Sequence, residues 1–283
     1  MSLSKINVRY LKHPFHIVDP SPWPFFTAMA AFVMLFGLAL YMHFYSIGLT
    51  MFRIGFILVC VVATLWWRDV IREATYEGDH TSYVRTSLRM GMILFIVSEA
   101  MLFSAFFWAY FHSCLNPVPQ IGSVWPPKGL EAINPLHVPL LNTLVLLNSG
   151  VFITYSHYSF LAGRLKDTIE GLVYTIALAI FFTFLQAFEY IEAPFTLSDG
   201  IYGSVFFLTT GLHGFHVIIG SIFLIVCLWR LIENHFTINS HVGFESAIWY
   251  WHFVDVVWIF VYLFIYYWGY GEIAEIMIIS KNN

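Results

Sequence analysis

The sequence predicts an all-α integral membrane protein, a bundle of seven transmembrane helices. Three observations carry that prediction. Of the 283 residues, 59% are hydrophobic and 11% are charged, against about 25% charged in soluble domains. Seven apolar runs are each long enough, at about 1.5 Å rise per residue, to cross a hydrocarbon core of ~30 Å. The 11 prolines avoid the interiors of those runs: four lie in the N-terminal region through Pro24, six between Pro117 and Pro139, and the last is Pro194.

Taken in order, residues 1–22 form a basic, Pro-rich tail with no short apolar run and no small-residue cleavage site, so no cleaved signal peptide is expected. Helix 1 is expected over about 24–45, opened by Trp23 at the membrane interface and by Pro24, which suits a first helical turn. Helix 2 covers about 51–71, and residues 72–87 read as a charged loop. Helix 3 covers 88–112 and carries Glu99 near its middle. A long Pro-rich loop over about 113–137 leads to helix 4 at about 139–160 and helix 5 at about 168–192. Helix 6 runs over about 200–231, with Ser198 and Asp199 as expected caps, and helix 7 over about 246–268. The whole of 1–283 reads as one membrane domain, without a repeat or a low-complexity segment.

Ten of the 13 lysines and arginines fall in the N-terminal tail and in the loops after helices 2, 4 and 6. The other side holds Arg53, Lys128 and Lys281. The positive-inside rule then places the N-terminus inside and the C-terminus outside. Uninterrupted helices suit a static bundle better than an alternating-access transporter, whose sites are often built from broken helices. There is no P-loop and no GxSxG. All five lysines lie in tails or loops, which excludes a retinal Schiff base. Cys60, Cys114 and Cys227 form no CxxC motif and suggest no disulfide framework.

Several polar groups stand at membrane depth. An ionisable side chain there costs roughly 2.5–3.5 kcal/mol on insertion scales and marks a functional site by default. Glu99 is the first, and with Arg89 ten residues away on its own helix it reads as an acid without a charged partner, which low dielectric keeps protonated. Its roles would be proton supply or hydrogen-bonded packing. His252 and Asp255, three apart, share one face of helix 7, as a proton relay, a ligand pair or a hydrogen-bonded pair. His213 and His216 share a face of helix 6. They could ligate copper or haem iron with His252, but the spacing alone builds no complete ligand set, so interhelical hydrogen bonding is the preferred reading. Gly203, Gly211, Gly214 and Ser221 are expected to line a small-residue face for close helix approach. Gln186, Glu189 and Glu192 close helix 5: Glu192 is expected in the external headgroup zone and Glu189, about one turn deeper, to point into the bundle, with a solvated helix end preferred over a proton path. Trp66, Trp67, Arg68 and Arg72, and separately Trp229, Arg230 and His235, are basic-aromatic clusters suited to anionic lipid headgroups or to generic interface anchoring.

Motifs along nearly the whole chain resemble the cytochrome c oxidase subunit 3 family of the haem-copper oxidases. They are His13-Pro14-Phe15-His16, Pro20 through Pro24, Trp66 through Glu73, Ser98-Glu99, Trp125-Pro126-Pro127, Pro139 through Thr143, Glu192-Ala193-Pro194, Gly211 through His216, and Trp251 through Trp258. Tyr158 departs from a frequent second histidine after His157, and residues 272–283 extend past the usual end. The resemblance implies that helices 1–2 are separated from helices 3–7 by a lipid-filled V-shaped cleft. It implies a non-catalytic core subunit that stabilises subunit 1 and supports proton uptake in a redox-driven, proton-translocating oxidoreductase passing electrons from cytochrome c to oxygen. Haem and copper would then lie in subunits 1 and 2, with none in this chain and no metal held by it. Bound phospholipid is implied near Trp67, Arg68, Arg72, Glu73, Arg230 and His235, and Glu99 matches an intramembrane carboxylate of the family. A mitochondrial inner membrane is the implied setting, with the N-terminus in the matrix and the C-terminus in the intermembrane space, and a bacterial plasma membrane the alternative. Subunit 3 of a quinol oxidase, often with fewer helices, and a seven-helix transporter or receptor are the competing readings.

Overall fold

A computed structural model describes residues 13–270. Lys5, Arg9, Lys12, Lys281 and the 272–283 extension lie outside the described residues. Seven helices, α1 (Trp23–Met42), α2 (Gly48–Arg72), α3 (Ser82–Leu115), α4 (Val138–Leu161), α5 (Leu165–Glu192), α6 (Gly200–Ile232) and α7 (Val242–Phe260), are each long and apolar enough to cross a membrane, and the described residues contain no strand.

Several boundaries depart from the sequence expectation. α2 runs on through a π-helical turn, Glu73–Glu77, and α3 begins at Ser82, so the charged stretch is mostly helical and the connection between them is short. Charge does not stop a helix that has left the bilayer: α3, with 34 residues, is about 51 Å long, well beyond the hydrocarbon core. α7 passes into a π-helical run, Val261–Tyr267, and a final turn, Trp268–Tyr270. Asp199 does not cap the first amides of α6; its Oδ2 accepts from the Thr196 backbone N–H at 2.6 Å, within the preceding loop.

The chain divides into two compact units at residues 88 and 89, inside α3. The first is built on an α1–α2 hairpin. Its buried positions are Ala30 and Gly37 on α1 and Gly48, Gly55 and Val62 on α2, all at seven-residue spacing. That spacing is the left-handed seam of helix packing, and small residues on it let two backbones approach in lipid. The approach is close: a Cβ on Gly37 would lie 2.4 Å from the Phe52 amide nitrogen, and one on Gly55 2.4 Å from that of Met34.

The second unit packs α4–α7 around the same seven-residue rhythm. Buried stripes are Leu146, Ile153 and Phe160 on α4; Thr168, Thr175, Phe182 and Glu189 on α5; Phe206, His213, Gly220 and Cys227 on α6; and Phe244, Trp251, Trp258 and Ile265 on α7 and its extension. Polar bonds cross the seams: Ser156 Oγ donates to the Thr168 carbonyl at 2.7 Å, Trp251 Nε1 to Ser149 Oγ at 2.9 Å and Trp258 Nε1 to Thr143 Oγ1 at 3.0 Å. The close approach expected from Gly203, Gly211, Gly214 and Ser221 falls elsewhere. Gly214 has open space over it and Gly203 meets the Thr196 carbonyl, whereas Gly220 seats the Trp251 ring, 3.0 Å from where a Cβ would stand. α3 joins this unit through long aromatic side chains, with Phe103 against His216 at 5.0 Å and Phe111 against Phe264 at 5.1 Å between ring centroids.

Candidate functional site in the polar interior of the second unit

Glu99 has its partner on another helix. Its Oε2 lies 2.9 Å from His216 Nε2, and the two side chains are 20% and 6% exposed. The other ring nitrogen of His216, Nδ1, lies 2.8 Å from the Leu212 carbonyl oxygen, which can only accept, so Nδ1 carries a proton. The Nε2–Oε2 contact then holds one further proton, either on the imidazole of an ion pair or on the carboxyl of a neutral pair. The sequence missed it because the partners are 117 positions apart.

His213 is fully enclosed, donates from Nε2 to the Val254 carbonyl at 3.2 Å, and stacks near Trp258 and Phe182. His213 thus turns to α7, whereas His216 turns to Glu99 on α3. His252 and Asp255 do share a face, but His252 Nδ1 stands 3.7 Å from Asp255 Oδ2, too far for a hydrogen bond, while Nε2 reaches Thr154 Oγ1 at 3.4 Å. Asp255 is buried over Gly150, with Oδ1 unpartnered. The structure therefore does not gather His213, His216 and His252 into one ligand set.

At the end of α5, Glu189 and Glu192 have different surroundings. Glu189 is buried, only 5% exposed, and its Oε1 accepts from Tyr266 Oη at 2.5 Å and from Gln186 Nε2 at 3.2 Å. Gln186 Oε1 accepts in turn from Asn142 Nδ2 at 3.2 Å. The cause is register: Glu189 occupies the inward stripe of Thr168, Thr175 and Phe182, whereas Glu192, three residues on, is exposed. The π-helical run after α7 turns Tyr266 inward to meet it. At the opposite end, Arg89 grips Glu245 in a two-pronged pair, Nε to Oε2 at 2.7 Å and Nη2 to Oε1 at 3.2 Å, with His241 Nε2 at 3.4 Å from Oε1.

Of the basic-aromatic clusters, each belongs to one unit. In the first, Trp67 is 67% exposed and Arg72 is exposed, while Arg68 is bound to Asp69 at 2.9 Å; Asp69 also accepts from Trp23 Nε1 at 2.7 Å. Glu73 turns away from the tryptophans toward His16, 4.0 Å off. In the second, the Arg230 guanidinium lies 4.2 Å over the Phe236 ring, and Trp229 meets the edge of His235 at 5.3 Å.

Seven apolar spans, small-residue seams and polar groups enclosed between helices define a polytopic α-helical membrane protein. The family model for cytochrome c oxidase subunit III matches residues 13–270. Proteins named cytochrome c oxidase subunit 3 are similar: that of Prototheca wickerhamii is 57% identical over 258 residues, covering 91% of this chain and 98% of its own length. Those of Bos taurus and Loxodonta africana are each 56% identical over 257 residues, again 91% of this chain and 98% of theirs. The chain belongs to the cytochrome c oxidase subunit III family, and its role is that of subunit 3 in the oxidase.

Proposed function

We propose that the chain is a core subunit carrying no redox centre, which stabilises subunit 1 and supports proton uptake while the complex passes electrons from cytochrome c to oxygen and pumps protons. Haem and copper belong to subunits 1 and 2 in this reading. The mitochondrial inner membrane is its setting, with the basic N-terminal side in the matrix, in keeping with ten of 13 lysines and arginines on that side. The observation that carries the proton part is the Glu99–His216 contact at 2.9 Å, a one-proton pair at membrane depth. In this reading it is an accessory group, because the redox centres and the main proton channels are expected in subunit 1.

Glu99→Gln keeps size and hydrogen bonding but cannot titrate. Purified in mild detergent, the variant complex should retain haem-bearing subunit 1 and near-normal initial oxygen consumption, with the loss confined to sustained turnover or proton uptake. A complex that assembles normally yet loses nearly all activity places Glu99 on the obligatory proton route and overturns the accessory role.

Phospholipid retention is the second part of the proposal, including the lipid-filled cleft that the resemblance implies. Its support is a basic-aromatic cluster in each unit, with Arg72 and Trp67 open to a headgroup in one and Arg230 beside Trp229 in the other. Arginine beside interfacial tryptophan is the pairing that anionic headgroups select. Arg72→Ala combined with Arg230→Ala should lower the phospholipid that mass spectrometry finds in the detergent-washed complex; unchanged lipid content counts against it.

A further inference from the structure

The first unit holds a cluster that the function above does not use. His16 comes from the segment before α1, Glu73 from the first position of the π-helical turn after α2, and Asp79 and His80 from the connection to α3. Three chain features bring them together. The π-helical turn ends at Gly78, whose φ of 75° is readily adopted only without a side chain, and the chain reverses there. The Asp79 amide closes back on the Glu73 carbonyl at 3.2 Å, fixing Asp79 beside Glu73. Thr81 Oγ1 donates to the Pro14 carbonyl, which brings the His13–His16 segment over the turn.

The side chains converge on one point. His16 Nε2 lies 4.0 Å from Glu73 Oε2 and 3.8 Å from Asp79 Oδ2, and the rings of His16 and His80 are 5.7 Å apart between centroids. One donor atom each from His16, Glu73 and His80 falls within 4.8 Å of the others, the one such group among the described residues. His16 and Asp79 are largely enclosed, with side chains 14% and 9% exposed. We propose that His16, Glu73 and His80, with Asp79 as a fourth donor, form a binding site for a divalent first-row transition-metal ion, zinc above all.

Two imidazoles and two carboxylates are a zinc-type donor set, and the two carboxylates balance the ion's charge. Zinc bonds of about 2.0–2.1 Å to nitrogen and oxygen put tetrahedral donors roughly 3.4 Å apart. The donor atoms, within 4.8 Å of one another, therefore need to draw together by about 1.4 Å at most, within the reach of side-chain torsions. The ion would clasp the segment before α1 to the end of α2, at a place where a π-helical turn already departs from regular geometry. It is an exchangeable structural ion and not a redox centre, and it does not depend on the proton or lipid proposals. The expectation that this chain holds no metal came from histidines that build no complete ligand set in the sequence and from the family resemblance; His16 and His80, 64 positions apart, offered no spacing to read.

The test uses the purified oxidase containing this subunit, stripped with a chelator, reloaded with zinc alone and passed through gel filtration. The unaltered complex should retain one zinc ion more than complexes carrying His16→Gln or His80→Gln. Glu73→Gln, nearly isosteric, should weaken that ion's binding at least tenfold, while His43→Gln, beyond the end of α1, should leave it unchanged. Equal zinc in the unaltered, Gln-substituted and His43→Gln complexes means adventitious surface binding only and overturns the site. A second measurement needs no variant. Diethyl pyrocarbonate modification, read residue by residue by mass spectrometry, should fall at His16 and His80 by tenfold or more when zinc is present. Equal modification with and without zinc also overturns it.

Discussion

Leucine in place of Gly37 or Gly55 should prevent the α1–α2 hairpin from packing. The added Cβ alone would sit 2.4 Å from a backbone nitrogen of the facing helix in each case. A flexible side chain could move aside, but a backbone cannot without separating the helices. Overpacking costs typically about 1–3 kcal/mol and more where nothing can yield, so a loss on the order of 3 kcal/mol, roughly a hundredfold in the packed population, is expected at either position. In lipid there is no hydrophobic drive to push the helices back together, because tails are as apolar as the seam. The measurement is the amount of the subunit in the membrane and its retention in the oxidase after mild detergent. Gly91→Leu on α3 is the control, since a Cβ there meets nothing within 4 Å. A Gly37→Leu subunit as abundant and as well retained as Gly91→Leu would show that the close approach is not needed.

Trp258→Ala should be the most damaging single truncation in the second unit. Trp258 is 1% exposed, packs edge-on to Phe182 at 4.8 Å, lies 5.0 Å from the His213 ring, and donates to Thr143 Oγ1 at 3.0 Å. Truncating a buried tryptophan to alanine costs about 3–5 kcal/mol, most of it lost packing and cavity. Trp258→Phe separates the contributions: it keeps most of the ring and drops the hydrogen bond, which in a membrane bundle averages about 0.6 kcal/mol. The expected order of thermal stability of the purified complex is therefore unaltered, then Trp258→Phe slightly lower, then Trp258→Ala far lower. Val256→Ala, at a position 50% exposed on the same helix, should change little. Equal losses for Trp258→Ala and Val256→Ala would mean that α7 is not the packing centre of its unit.

The central position of α7 could not be read from hydropathy. In soluble proteins an apolar stripe marks the core, but in lipid the outer face is apolar as well, so a stripe of Phe, Trp and Ile carries no direction. Half of the most apolar window of the span that begins with α7 is buried, against 6% for the span of α3, though the mean hydropathies are 1.7 and 2.0. What does mark the inward face is a seven-residue spacing of residues unlike the lipid: Thr168, Thr175 and Glu189 on α5, Asn142, Ser149 and Ser156 on α4, and glycines on the first hairpin. Read with that rule, Gly37, Gly48 and Gly55 would have been placed at a helix contact. Gly211 and Gly214 would not, since they stand off the Phe206–His213–Gly220–Cys227 stripe.

By itself the sequence determined the seven membrane spans, the membrane class of the protein and the family, because length, apolarity, proline placement and local motifs are properties of contiguous chain. It also singled out Glu99, His213, His216, His252 and Asp255 as polar groups at depth, because transfer into lipid is costly wherever a helix points them. Only the tertiary structure decided their partners. Glu99 meets His216 across 117 positions, Glu189 meets Tyr266 across 77, and His16 meets Glu73 and His80 through a reversal of chain at Gly78. A carboxylate's function depends on what donates to it within about 3 Å, and that distance is set by helix register, by a π-helical turn and by the tilt of one seam against the next, none of which is a property of any one stretch of sequence.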